Sequence, residues 1–243
     1  MIQKPNLLRV SEYRINDKIA VHVPTVDDIF EFGDQKYYSI VQSLISTPFD
    51  LMVELDDIGI DFETITNYQL FMLMLESIAV NESDTSILFG KLNLKDFREA
   101  DNLKTGERIL WNKKDDIVID RMIALEICNV IRKIHFWEAP VGQAGNAEAK
   151  RYLIERNRLK KQRLAKKPYT SFLESMIISL VNTEEFPYNY ETVMGLSVYK
   201  LNASWRQIQK KKHWEQTMNG CYFGTVDINK IDLEKISWLS PEQ

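Results

Sequence analysis

The chain has 243 residues, 44% hydrophobic and 11% aromatic, enough apolar material for one large domain or two ordinary ones with a buried core. A net charge of −4 with 27% charged residues lies far from the composition of disordered chains. The two cysteines, Cys128 and Cys221, stand far apart without a CxxC partner, which excludes a disulfide framework or a clustered zinc site and suits a reducing compartment.

The N-terminal residues 1–6 run into polar and charged sequence with no apolar h-region, so no cleaved signal peptide is expected. Residues 13–15, a polar pair Asn16-Asp17 and the alternating residues 18–23 read as a β-hairpin closed by a two-residue turn and ended by Pro24. Thr25 is the expected N-cap of a first helix, with Asp27 and Asp28 in the turn where the helix dipole favours negative charge, and Gly33 its stop. Helical patterns follow over 35–46 and 48–55. A further helix starts at Asp61 or Thr64 and runs to about Ala79; it is apolar nearly all round at 70–75, so it belongs in a core. That stretch is far short of the roughly 20 residues a membrane helix needs.

From Thr85 to Asp120 the period shifts towards two. Residues 86–89 read as a strand, and 108–111 with 116–119 as a hairpin around the polar turn 112–115. Helix returns at 121–136, with Ile123, Ile127, Val130, Ile131 and Ile134 on one stripe that must be buried. Pro140, Gly142 and Gly145 mark a loop, Asn146 caps a helix to about Lys167, and Pro168 stops it. Thr170 is the expected cap of a short amphipathic helix carrying Leu173, Met176, Ile177, Leu180 and Val181. The last long helix covers 197–218, with Val198, Leu201, Trp205 and Ile208 on one seam and Gly220 as its cap. The tail over 226–233 is irregular but carries apolar anchors that should lie on the body. The fold expected is therefore α+β and predominantly helical, with small N-terminal and central β-hairpins and a helical C-terminal half. It divides into a mixed α/β part, 1–120, and a helical part, 121–243, with a basic helical arm at 146–167.

Few residues suggest reaction chemistry. The three histidines, His22, His135 and His213, are scattered; His135 and His213 each sit beside a tryptophan and near a glutamate, a pairing that serves a general base but also suits helix ends. There is no HExxH, GxSxG, P-loop or GxGxxG, so the usual anchors of hydrolase, nucleotide and dinucleotide chemistry are missing. Asp56, Asp57, Asp61 and Glu63 surround Gly59, and Asp115, Asp116 and Asp120 form a second acidic group. Neither has the alternating oxygen-ligand spacing of an EF-hand loop, and turns beside helix starts or hairpins account for both. The expectation is a non-enzymatic protein with no catalytic residue, metal or cofactor. An unrecognised enzyme would instead show a buried His-Glu or paired-Asp pocket.

The basic arm stands out. Residues 150–167 hold nine basic side chains against one acid, Glu155. Of the 31 basic and 35 acidic residues in all, 22 and 34 remain elsewhere, so an otherwise acidic body of net charge −12 carries one cationic helix. Its apolar positions, Ala149, Tyr152, Leu153, Leu159 and Leu164, make only a thin stripe, so much of the helix should face water or a partner. Arg151, Arg156, Lys160 and Arg163, recurring at three to five residues, are the candidate partner-binding residues. Three readings stay open: a solvated helix, a contact for an acidic protein surface, and nucleic-acid binding. The last is disfavoured by Tyr152 being the only aromatic in the run and by the lack of a recognised nucleic-acid module. Lys210-Lys211-Lys212 either extends the patch or is simply solvated.

Three segments carry a family resemblance: Ile15-Asn16-Asp17-Lys18-Ile19-Ala20-Val21-His22-Val23-Pro24-Thr25-Val26-Asp27-Asp28-Ile29 with Tyr37-Tyr38; Leu55-Asp56-Asp57-Ile58-Gly59-Ile60-Asp61-Phe62 with Tyr68-Gln69-Leu70-Phe71; and Met218-Asn219-Gly220-Cys221-Tyr222-Phe223-Gly224-Thr225-Val226-Asp227-Ile228-Asn229-Lys230-Ile231. Together they resemble bacteriophage proteins from tail-gene clusters of phages infecting Gram-positive bacteria, namely tail assembly chaperones and related tail morphogenesis proteins. The resemblance implies a protein of the infected host's cytoplasm that shields the tape-measure protein or tail-tube subunits until the tail is built, or one retained in the virion. Homo-oligomerisation is compatible with either role. No catalytic residue comes with the resemblance.

Overall fold

The computed structural model describes residues 5–102, 105–140, 142 and 145–240. Within them the protein is α+β and mostly helical, 55% of it in helices, with two small antiparallel sheets.

Strands β1 (Glu12–Arg14) and β2 (Ala20–His22) pair with Tyr13 opposite Val21, and the alternation buries that pair. The connection is longer than two residues. Asn16 folds its side chain back to accept the amides of Lys18 and Ile19 at 2.9 and 2.8 Å, and Ile15 donates its amide to the Ile19 carbonyl, so 15–19 forms a loop built around the Asn16 side chain.

Helix α1 (Val26–Phe32) begins at Thr25 as expected, with Thr25 and Asp28 capping each other reciprocally, and Gly33 ends it at φ +94°. Helices α2 (Asp34–Ile45) and α3 (Met52–Asp57) follow. Helix α4 (Asn67–Val80) starts later than either expected cap. Thr66 and Gln69 form its capping box, whereas Asp61 and Thr64 belong to the preceding turns. Its all-round apolarity serves two clusters: Phe71, Met72, Leu75 and Ile78 face the main core, and Leu70 a smaller one formed with Met52, Val53, Leu55 and Phe62.

Residues 86–89 are a helical turn, α5 (Ser86–Phe89), and not a strand. Leu88 and Phe89 are buried as that pattern requires, but four apolar residues are too few to separate the two periods, and Gly90 at φ +58° ends the turn. The central hairpin forms as β4 (Arg108–Asn112) and β5 (Ile117–Ile119), joined by an edge strand β3 (Arg98–Asp101) whose polar sequence carries no strand signal. Leu110, Ile117 and Ile119 point inward, and the Trp111–Val118 pair points out.

Helix α6 (Arg121–His135), capped by Asp120, buries Ala124, Ile127, Val130, Ile131 and Ile134. Helix α7 (Ala147–Ala165) is capped by Asn146; α8 (Phe172–Val181) is capped by Ser171, one residue after the expected Thr170. The start of the 25-residue α9 (Val198–Tyr222) is stitched to the link between β2 and α1 by Val26 N–H to the Leu196 carbonyl at 2.9 Å and Val198 N–H to the Pro24 carbonyl at 2.8 Å. Gly220 lies inside α9 and does not cap it; Phe223 does. The reason is steric. A Cβ on Gly220 would sit 2.7 Å from Val226 Cγ2, so glycine is what lets the tail fold back against the helix. The tail, with α10 (Leu233–Ile236), then packs on α9, where Gln207 donates to the Trp238 carbonyl at 2.7 Å. The main core runs from Leu7 to Leu201 and draws on residues both before and after 120.

Candidate interaction surface on the basic helix

Helix α7 carries no fully buried residue, yet one side of it is committed to the body. Helix α3 and the turns after it gather five carboxylates: Glu54, Asp56, Asp57, Asp61 and Glu63. Three cations of α7 meet them. Lys150 pairs with Asp61 and, at 3.0 Å, with Glu63; Arg158 bridges Asp56 at 2.8 Å and Asp57 at 2.5 Å; Lys161 pairs with Glu54. Between these cations Leu153 and Ile154 pack into the small cluster beside Met52 and Phe62, and Asn157 closes the row by donating to the Leu153 carbonyl at 2.9 Å. Positions 150, 154, 157, 158 and 161 follow the three-and-four spacing of one helix face. Hydrogen bonding from Lys150 lowers the Asp61 carboxyl below its ordinary pKa, and hydrogen bonding to Asp61 raises the Lys150 ammonium. Arg158 is raised chiefly by its hydrogen bond to Asp57. The acidic group that the sequence placed in a turn and a helix start thus has its counterions on a helix nearly a hundred residues later.

The four candidate residues lie elsewhere on α7. Arg151, Arg156, Lys160 and Arg163 are all exposed, and none makes an ion pair among the described residues. They do not share one stripe. Arg156, Lys160 and Arg163 stand at i, i+4 and i+7 on one side, while Arg151, five residues before Arg156, is rotated by about 140° at 3.6 residues per turn. Tyr152 and Leu159, 66% and 46% exposed, lie seven residues apart beside Arg156 and Arg163 on the outward side. The thin stripe read from the sequence is therefore two half-stripes, Leu153 inward and Tyr152 with Leu159 outward. Ile154 is the inward residue that reading missed, although its i+4 spacing from Lys150 and i−4 spacing from Arg158 signals it.

The lysines at 210–212 do not extend this surface. Lys212 and Lys211 reach Glu185 at 3.6 and 4.0 Å, and Lys210 donates to the Ser240 carbonyl, so they tie the 182–197 connection and the tail to α9.

The remaining chemistry-bearing groups lie apart from α7. His135 is mostly buried: Nδ1 lies 2.8 Å from the Ile131 carbonyl, which can only accept, so Nε2 accepts from the Tyr37 hydroxyl at 2.8 Å. Burial lowers its pKa to about 4 and keeps the imidazole neutral. His213 is exposed on α9, and His22 stands 4.0 Å from Glu12 at the surface. A cavity of about 350 Å³ between α4 and α6 contains Cys128 and Arg132, but both face the end of α2. Cys128 Sγ donates to the Leu44 carbonyl at 3.1 Å and Arg132 Nε to the Ile45 carbonyl at 3.1 Å, serving two carbonyls that the helix end leaves without an intrahelical partner. No helix among the described residues is long and apolar enough to cross a membrane.

Residues 165–241, which hold α8, α9 and the tail, match the family described as the YomV second domain, a phage-associated domain. The match takes in about a third of the chain and begins at the last residue of α7. No curated protein and no solved structure matches the chain. The C-terminal third is therefore similar to a phage-associated domain, and the basic helix lies just before it.

Proposed function

We propose that this protein is a non-enzymatic phage tail morphogenesis factor that works in the host cytoplasm as an assembly chaperone, holding tape-measure or tail-tube protein until it is incorporated. The observation that carries the reading is the division of α7: one face is fixed to an acidic ledge of the body, and the other presents Arg156, Lys160 and Arg163 with Tyr152 and Leu159 to solvent. A helix needs only one such face to be anchored. The second is surface available to a partner. The phage-associated match over 165–241 supports the phage setting, and the likeness of the three sequence segments to tail-cluster proteins supports the tail role. The acidic remainder of the chain keeps a chaperone–client complex soluble.

Co-expression with the tape-measure and tube proteins of the same gene cluster, followed by affinity capture, tests this reading. Capture of either one is the expected result, and capture of neither refutes it. Mass spectrometry of purified virions separates a chaperone, which leaves the particle, from a structural component, which stays.

A further inference from the structure

We infer that the outward seam of α7 is a docking site for a single acidic amphipathic helix of the partner protein, bound in the way that α3 is bound on the inward side. This deepens the proposed function and rests on it only in taking the partner to be a protein. The precedent is within the molecule. Helix α3 is a short acidic amphipathic segment: Met52, Val53 and Leu55 are buried, and Glu54, Asp56 and Asp57 meet the cations of α7. The inward face of α7 holds it with two apolar residues, Leu153 and Ile154, flanked by Lys150, Arg158 and Lys161.

The outward side repeats this composition. Tyr152 and Leu159 take the place of the apolar pair, and Arg156, Lys160 and Arg163 the place of the cations. The spacing selects a helix over an extended chain. Tyr152 and Leu159 are separated by two turns, about 10.5 Å, which is the heptad repeat of a facing helix, and the seam to Arg163 is about 17 Å long, or three turns of partner. Carboxylates spaced by three and four on that partner would reach all three cations. Charge complementarity sets the class: the exposed cations make no ion pair among the described residues, and Glu155 is the only acid among residues 150–167. A nucleic acid would be drawn by the same charges, but it gains from successive stacking platforms, and the seam offers a single aromatic ring, Tyr152, beside Leu159, which offers none. The acidic body would also repel it.

The test uses the full chain and a fluorescently labelled synthetic helical peptide of three heptads, with leucine at the seam positions and glutamate flanking them, followed by anisotropy. Two comparison probes are a peptide with the same glutamates but serine at the seam, and a single-stranded oligonucleotide. The wild type is expected to bind the leucine peptide. Reversal of Arg156, Lys160 and Arg163 to Glu should weaken binding by at least about tenfold, and Tyr152→Ser with Leu159→Ser by about fivefold. Reversal of Lys230 and Lys235, exposed in the tail, should change nothing. All of these positions are exposed, so the variants should keep the wild-type circular dichroism and melting curve. Equal binding of the serine peptide, preference for the oligonucleotide, or indifference to the triple reversal would each overturn the inference. If tail protein is captured equally by wild type and triple variant, this site is refuted while the chaperone reading stands. If the peptide binds but no tail protein is captured, the reverse holds.

Discussion

The contact of the mostly buried His135 with the buried Tyr37 makes the stability of this protein depend on pH in a calculable window. His135 is mostly buried at the end of α6 with a pKa lowered to about 4, while in the unfolded chain the imidazole returns to its ordinary 6.5. Below pH 6.5 the unfolded state takes up a proton that the folded state refuses until about pH 4. The unfolded state therefore binds more protons across that window, and stability falls as the pH falls. Each pH unit inside it costs about 1.4 kcal/mol, so lowering the pH from 7 to 5 should remove about 2 kcal/mol, and the whole window about 3. Urea denaturation at both pH values reads this as a loss of about 1 M in midpoint for an m-value of about 2 kcal/mol/M. Carboxylates titrate in the same range, so the comparison is with His135→Gln, which keeps every carboxylate and lacks the imidazole. That variant should begin less stable at pH 7 and lose about 2 kcal/mol less than the wild type between the two pH values. Tyr37→Phe removes the donor to Nε2; it should cost about 1–3 kcal/mol at pH 7 and leave the pH dependence in place. Equal pH dependence in wild type and His135→Gln would refute the reasoning.

Because the ion pairs that hold α7 are exposed, they should weaken with salt: hydrogen exchange in α7 should accelerate between low and 0.5 M salt while exchange in α6 stays unchanged, and Arg158→Glu should reproduce the effect at low salt. Burial raises the Cys128 thiol to about 11, so at pH 8 maleimide should label it about 100-fold more slowly than an ordinary thiol, and unfolding in urea should abolish the difference. Gly220→Ala should leave the melting temperature of the body nearly unchanged but loosen the tail, seen as severalfold faster tryptic cleavage after Lys230 and Lys235, because the added Cβ meets Val226. Leu201→Ala, at a site with no exposed surface, should cost about 2–5 kcal/mol in chemical denaturation.

Local chemistry was legible where one capping residue stood alone, and missed where neighbours competed: Asp61 and Thr64 masked Thr66, and Thr170 masked Ser171. Thr25 and Asn146 could be assigned because a capping hydrogen bond reaches only two or three residues, whereas Asp120, the cap of α6, was read only as flanking the hairpin. The α6 stripe and the central hairpin were readable from periodicity over enough residues to be unambiguous. The strand assigned to 86–89 failed for lack of length, and the cap at Gly220 because the glycine answers to a tail side chain six residues on.

What the amino-acid order determined by itself was an acidic, mostly helical protein carrying one cationic helix. Only the tertiary structure decided which cations of that helix are taken. Lys150, Arg158 and Lys161 look no different in sequence from Arg156, Lys160 and Arg163; what separates them is rotation about the helix axis relative to α3. That rotation is set when Leu153 and Ile154 bury against Met52 and Phe62. Apolar burial chooses the face, because charges on a helix attract acids from any direction, whereas only one side of it can be removed from water at that contact.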